Sequence, residues 1–324
     1  MTNRDRLLGL TVVVLWGLNF LAIRVGLDHF PPFFFAGLRF AVIALPVLFF
    51  IPRPNVPWRW LLLYGTGFGI LQFAFLFTAM RAGMPTGLSS LVLQSSAPFT
   101  VMLGALLLKE RLRGIQLLGI AVAMAGMAVI GWDRAQHAAL LPLLLTLAAG
   151  LGWAFGNIGS RLAVAGADAS PDHPVNPLHL TLWMAVVPPI PMFALSALTE
   201  GPATGWRALA ASFSPSGWPA FAALAYIVLL GTIAGSGLWT YLMSRYPAGT
   251  VAPLSLLVPV VGIGASWAFL NETPSALSLL GALIVIIGAF TATSAGSRIA
   301  IPARWRIFGP KKITPTDPVP VPAA

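Results

Sequence analysis

Cysteine is absent from the 324 residues, so neither a disulfide framework nor a thiolate metal site is available. Charge is nearly as scarce. Only 9% of the residues are charged and 57% are hydrophobic, whereas a soluble domain carries about 25% charged residues. A chain this apolar cannot cover a water-facing surface, and lipid is its expected solvent. Acidic side chains are missing where a carrier would use them: all nine Asp and Glu fall at the ends of apolar runs, in loops or in the tail. A proton-coupled carrier often holds its proton on a buried carboxylate. None is visible, and His179 is the only histidine near an apolar run. Coupling stays open, with facilitated, gradient-driven movement as the default. Also missing are an acid pair, an HExxH pair and a GxSG nucleophile within the apolar runs. These absences argue against an intramembrane enzyme such as a lipid-modifying transferase. No catalytic residue, metal site or cofactor is expected.

What the chain does have is apolar length. A spanning helix needs about 20 mostly apolar residues. Runs of that kind fall at 7–26, 32–51, 58–80, 86–108 and 114–131, and again at 139–162, 178–198, 219–243, 250–270 and 276–294. The first follows Arg4 and Arg6 like a signal peptide, but it is long enough to span and no small-residue cleavage site follows, so it reads as a retained helix. After Gly296 the composition turns to Pro, Lys and Arg, which predicts a disordered basic tail over 296–324.

The formal charge of +10 sits in short gaps between apolar runs rather than on a polar face. It is therefore a topology signal, and no nucleic-acid partner is expected. With the N-terminus in the cytoplasm, fourteen basic residues, from Arg4 and Arg6 to Lys311 and Lys312, fall on that side. Only Arg81, Arg134 and Arg207 fall on the other. That bias predicts cytoplasmic termini and an even number of spans. Trp58, Trp60, Trp132, Trp206, Trp218 and Trp305 lie near run ends, where an aromatic belt forms.

The sequence repeats itself. Residues 64–126 laid on 226–288, a shift of 162, align Tyr64 with Tyr226, Gly69 with Gly231, Pro85 with Pro247 and Gly87 with Gly249. Glu110 meets Glu272, Leu118-Gly119 meets Leu280-Gly281, and Gly126 meets Gly288. The first spans match at a shift of 137, pairing Trp16 with Trp153. Each half holds an odd number of spans, so the second half must cross in the opposite sense. The expected architecture is an all-α integral membrane protein of ten transmembrane helices, built as two inverted five-helix repeats at 1–135 and 136–295. Such repeats are common in secondary transporters, with the binding site near the midplane.

Polar side chains inside spans are costly and are functional candidates by default. Arg39 is the foremost. It sits well inside the second span with no acid at comparable depth, and its planar fork suits a carboxylate. The alternative is an arginine that braces a neighbouring helix. Trp16 with Asn19, and Trp153 with Asn157, pair an aromatic face with an amide on one helix side; interhelical hydrogen bonding is the competing role. Gln72, Gln94, Trp183, Trp239 and Tyr241 complete the candidate substrate-binding set, each open to a purely packing role.

These residues carry a family resemblance. The stretches VVVLWGLNFLAIRVGL (12–27), AGLRF (36–40), QFAFLF (72–77), GMPTGLSSLVLQ (83–94), ERL (110–112), TLAAGLGWAFGNI (146–158) and APLSLLVPVVG (252–262) resemble the EamA family of the drug/metabolite transporter superfamily. Within it they are most similar to bacterial exporters of O-acetylserine and cysteine. The resemblance covers about residues 4–295. It implies ten helices, a bacterial inner-membrane location and outward movement of a small amino-acid-like substrate, with monomer and dimer both open. Broad-specificity drug/metabolite export, or export of other amino acids, is the alternative within the superfamily. Departures are Thr273-Pro274 where Arg-Leu is expected, the loop at 164–177 and the basic tail. The superfamily's four-helix exporters rely on a glutamate in the first span. Here Asn19 occupies the middle of that span, against proton-driven export of cationic drugs.

Overall fold

The computed structural model describes residues 2–108, 114–136, 140–165, 175–215, 217–245, 254–255, 257–271 and 273–294. The 296–324 tail lies outside the described residues, as do Glu110, Glu272, Pro247, Gly249 and most of the 164–177 loop. Regular structure among the described residues is entirely helical. The first half comprises α1 (Asn3–His29), α2 (Pro32–Phe50), α3 (Trp58–Tyr64), α4 (Gln72–Arg81), α5 (Thr86–Val92), α6 (Ser96–Leu108) and α7 (Gly114–Gln136). The second comprises α8 (Leu140–Ala165), α9 (Pro177–Met184), α10 (Pro189–Thr199), α11 (Thr204–Ala211), α12 (Trp218–Ala225), α13 (Gly235–Arg245), α14 (Val258–Leu270) and α15 (Ala276–Ser294).

Among the described residues, six helical units are long and apolar enough to cross a membrane, and three shorter apolar helices run over Leu117–Ile130, Val258–Leu270 and Ala276–Gly288. Their outer faces need lipid: Leu198 is 84% exposed and Ile190 80%. The protein is a multi-pass membrane protein.

Two spans read as continuous are broken by proline. Pro98 lacks an N–H and its ring crowds the carbonyl of Gln94, so the chain tightens into a 3-10 turn at Leu93–Ser95 between α5 and α6. The 178–198 span splits into α9 and α10, because Pro188 disfavours helical geometry at Val187 and Pro188 and Pro189 both lack N–H donors.

Two other interruptions are matched. A π-helical segment, π1 (Gly65–Leu71), joins α3 to α4, and a second, π2 (Tyr226–Ala234), joins α12 to α13. Their positions correspond under the 162-residue shift. Each π segment packs on the first helix of the other half: π1 on α8 and π2 on α1. At the first contact a Cβ on Gly67 would collide with the backbone N of Gly156 and lie 2.8 Å from Gly152 O. Small residues let helix backbones touch where lipid supplies no hydrophobic drive. Helices α7 and α15 meet in the same way, with contacts that mirror each other. A Cβ on Gly126 would lie 2.7 Å from Gly281 O, and one on Gly288 2.6 Å from Gly119 O.

One end of the bundle is closed by aromatic packing. Phe30, Phe34, Phe35 and Phe77 are fully buried there, and Phe34 sits edge-on to Trp206 at 5.0 Å. Glu200 fixes the helix ends beneath them. Pro31 and Pro32 leave α2 without a side-chain cap of its own, and Phe33 and Phe34 offer its first free N–H groups. Phe33 N donates to Glu200 Oε1 at 2.7 Å and Phe34 N to Oε2 at 3.1 Å. A carboxylate at a helix N-terminus also opposes the helix dipole favourably. Glu200→Ala should therefore lower unfolding stability by about 1–2 kcal/mol in detergent, with Glu200→Gln intermediate. Thermal melts of the two variants check this; an alanine variant melting with the wild type would remove the capping role.

Candidate functional site

Three of the candidate side chains converge on π2. Trp16 Nε1 donates to Gly231 O at 3.0 Å, and the Tyr226 hydroxyl donates to Leu15 O at 3.1 Å, pinning the segment to α1. Gly231 lets Asn19 approach closely, because a Cβ there would collide with Asn19 Oδ1 where it now stands. The next residue, Thr232, accepts from Arg39 Nη2 at 2.8 Å and donates to Ile227 O at 2.8 Å, five residues back along the π turn. Trp16, Asn19 and Arg39, from two helices of the first half, thus meet on adjacent residues of the second.

Arg39 is only 3% exposed. It lies about 10 Å along α2 from its start, at 1.5 Å per residue. Its guanidinium stands 4.0 Å above the Phe73 ring and 5.2 Å from the Phe40 ring. Among the described residues no carboxylate pairs with it, and its Nε and Nη1 atoms find no hydrogen-bond partner. Asn19 Oδ1 is likewise buried with no donor. Native proteins leave few such groups, and each calls for an explanation.

Aromatic rings run from this polar point to the first helices of both halves. Phe73 contacts Phe68 at 5.9 Å, Phe68 contacts Trp153 at 6.1 Å, and Trp153 meets Trp16 edge-on at 6.5 Å. Trp16 then packs on Trp239 at 5.2 Å. The two tryptophans matched by the internal repeat touch each other. Sequence reasoning missed Thr232, Phe68 and Phe73. Only the repeat held a signal for the first, since it singles out the adjacent Gly231. Apolar residues such as the two phenylalanines carry no cost that would mark them.

Other candidates fall elsewhere. Asn157 Nδ2 donates to Thr100 Oγ1 at 3.1 Å, tying α8 to α6, and Gln94 Nε2 donates to Ser255 O at 2.8 Å. Gln72 is buried where α4 meets α8, and its Oε1 has no partner among the described residues. Trp183 lies apart from the cluster, at the C-terminal end of α2, where Nε1 donates to Ile51 O at 3.1 Å and the ring meets Trp58 at 6.4 Å. Tyr241 is half-buried two residues beyond Trp239, a spacing that does not share a helix face. Arg24 pairs with Asp28 at 3.7 Å in a half-exposed setting, away from the cluster. A hollow of about 290 Å³ lined by Ile263, Trp267, Thr273 and Leu279 has no charged side chain in its lining. Among the described residues no group of three His, Asp or Glu converges to hold a metal.

Comparison with known proteins fits this geometry. The family model described as the EamA-like transporter family matches residues 6–132 and 140–294. A probable amino-acid metabolite efflux pump of Escherichia coli (strain K12) is 44% identical over 294 residues, covering 90% of this chain and 95% of that protein. A pump of the same name in Salmonella typhimurium is 43% identical over 292 residues, with 90% and 95% covered. The uncharacterised inner membrane transporter YedA of Escherichia coli is 25% identical over 292 residues, covering 86% and 87%. A crystal structure that is 21% identical superposes with a TM-score of 0.57 over 91% of this chain and 98% of its own, a likeness of fold alone.

Proposed function

The chain belongs to the EamA-like transporter family, and from that premise we propose that it exports small amino-acid metabolites, cysteine and O-acetylserine among them, across a bacterial inner membrane. The observation that carries this reading is Arg39: a buried guanidinium with two unused donors, set among aromatic rings at mid-depth. A substrate carboxylate would take one of those donors together with the second Nη2 proton, along one edge of the guanidinium, and Trp16, Trp153 and Trp239 would pack on its apolar part. The efflux-pump names of relatives 43–44% identical over nine-tenths of the chain support the same substrate class.

The halves 1–135 and 136–295 act as the two moving bodies, with both termini cytoplasmic. Several contacts that build the site cross between them: Arg39 with Thr232, Trp16 with Gly231 and with Trp153. A shift of one half against the other would open and close the site, which is the requirement of alternating access.

The test is counterflow in proteoliposomes loaded with radiolabelled cysteine, O-acetylserine and a panel of other amino acids, with and without a proton gradient. Saturable movement of one or two of these is expected, indifferent to the gradient. No movement of any by folded protein would remove the amino-acid assignment and turn the search to lipophilic drugs and sugar conjugates.

A further inference from the structure

Two kinds of unused hydrogen-bonding capacity face the same two residues of π2. Arg39 Nη2 binds Thr232, leaving Nε and Nη1 as bare donors. On the neighbouring residue, Gly231, Asn19 Oδ1 packs so closely that no Cβ fits, and it is a bare acceptor. Consecutive Cα atoms are about 3.8 Å apart. Donors for an anion and an acceptor for a cation, the two kinds of group a zwitterion requires, thus meet adjacent residues of π2. Aromatic rings lie on the same side of the helix, where Trp16, three residues earlier, packs at a tilt against Trp239. Such faces attract an ammonium group.

We infer that Asn19 is the specificity residue for a free α-ammonium group, so that the site accepts zwitterionic α-amino acids and rejects their N-acylated forms. The inference rests on the amino-acid reading of Arg39 and adds a requirement to it. Arg39 by itself would accept any carboxylate. An Asn19 oxygen that must receive a charged N–H would not accept an amide in its place. Acylation removes the positive charge, weakens the donor and adds bulk. The amide oxygen is suited to this work because it carries no charge.

An isomeric pair isolates the requirement. O-acetylserine and N-acetylserine share composition and carboxylate, and only the first has a free ammonium group. Counterflow of each would be measured with full-length protein in proteoliposomes, under mildly acidic conditions that keep the acetyl group from migrating. Wild type should carry the O-isomer at least tenfold faster, the equivalent of one hydrogen bond to a charged group. In Asn19→Leu that ratio should collapse toward one. Asn19→Gln, which keeps the amide, should retain part of it, and size-exclusion profiles would report folding. Equal carriage of the isomers by wild type, or an unchanged ratio in folded Asn19→Leu, would overturn the ammonium role and leave the Arg39 reading standing. Failure of wild type to carry either isomer or any free amino acid would overturn both.

Discussion

Replacing Arg39 with leucine should reduce metabolite export by about a hundredfold or more while leaving the folded protein at least as stable as wild type. The two effects have separate causes. Two charge-assisted hydrogen bonds to a carboxylate are worth about 3 kcal/mol or more together, and every 1.4 kcal/mol is a factor of ten. Stability moves the other way. A lone charge in the middle of a spanning helix costs about 2.5–3.5 kcal/mol on insertion scales. Arg39 recovers part of that cost through one bond to Thr232 and the face of Phe73, each worth about 1 kcal/mol. Leucine removes the charge and leaves nothing stranded, because the Thr232 hydroxyl still donates to Ile227 O. An arginine present only to brace α2 against π2 predicts the reverse: lower stability, with normal transport by whatever remains folded. Detergent melting and counterflow on one preparation separate the two. Arg39→Lys should fall between, since an ammonium keeps the charge but cannot present the planar fork.

A second substitution should disrupt the fold itself. At Gly67 a side chain has no room, because the atoms in the way are backbone, the N of Gly156 and the O of Gly152. Backbone cannot rotate aside as a rotamer would, so π1 and α8 must separate along the interface between the halves. Gly67→Leu should cost about 3 kcal/mol or more, the upper range for overpacking, and should appear as lost monodisperse protein in detergent. The matched control is Gly264→Leu on α14, where a Cβ meets nothing within 4 Å. That change should be nearly neutral although it introduces the same residue into a membrane helix. If both variants behave alike, the close approach of π1 to α8 is wrong.

Glycine was the most legible part of this architecture in the sequence. Gly126 and Gly288, aligned by the internal shift, mark the crossing of α7 and α15, and Gly69 and Gly231 mark the two π segments. Helix boundaries were legible where composition alone decides them. Breaks were harder to read. Prolines at 98, 188 and 189 were visible, but whether each bends or divides a span depends on what surrounds it. The π segments carry no proline, and nothing in their composition announces the extra residue per turn.

The sequence by itself determined that this chain lives in lipid, where its apolar runs lie, and that Arg39 has no acid near it along the chain. Each of these is a local property, a sum over neighbouring residues or a count of charges. Partner choice is not local. Arg39 meets Thr232 across 193 positions and Glu200 caps α2 across 167. Trp183, a candidate from the same set as Trp239, ends beside Trp58 instead of in the cluster. Only the tertiary structure decided these pairings, because a polar group buried in a membrane takes whichever complementary atom helix packing brings within about 3 Å. Packing is set by side-chain shapes on several helices at once.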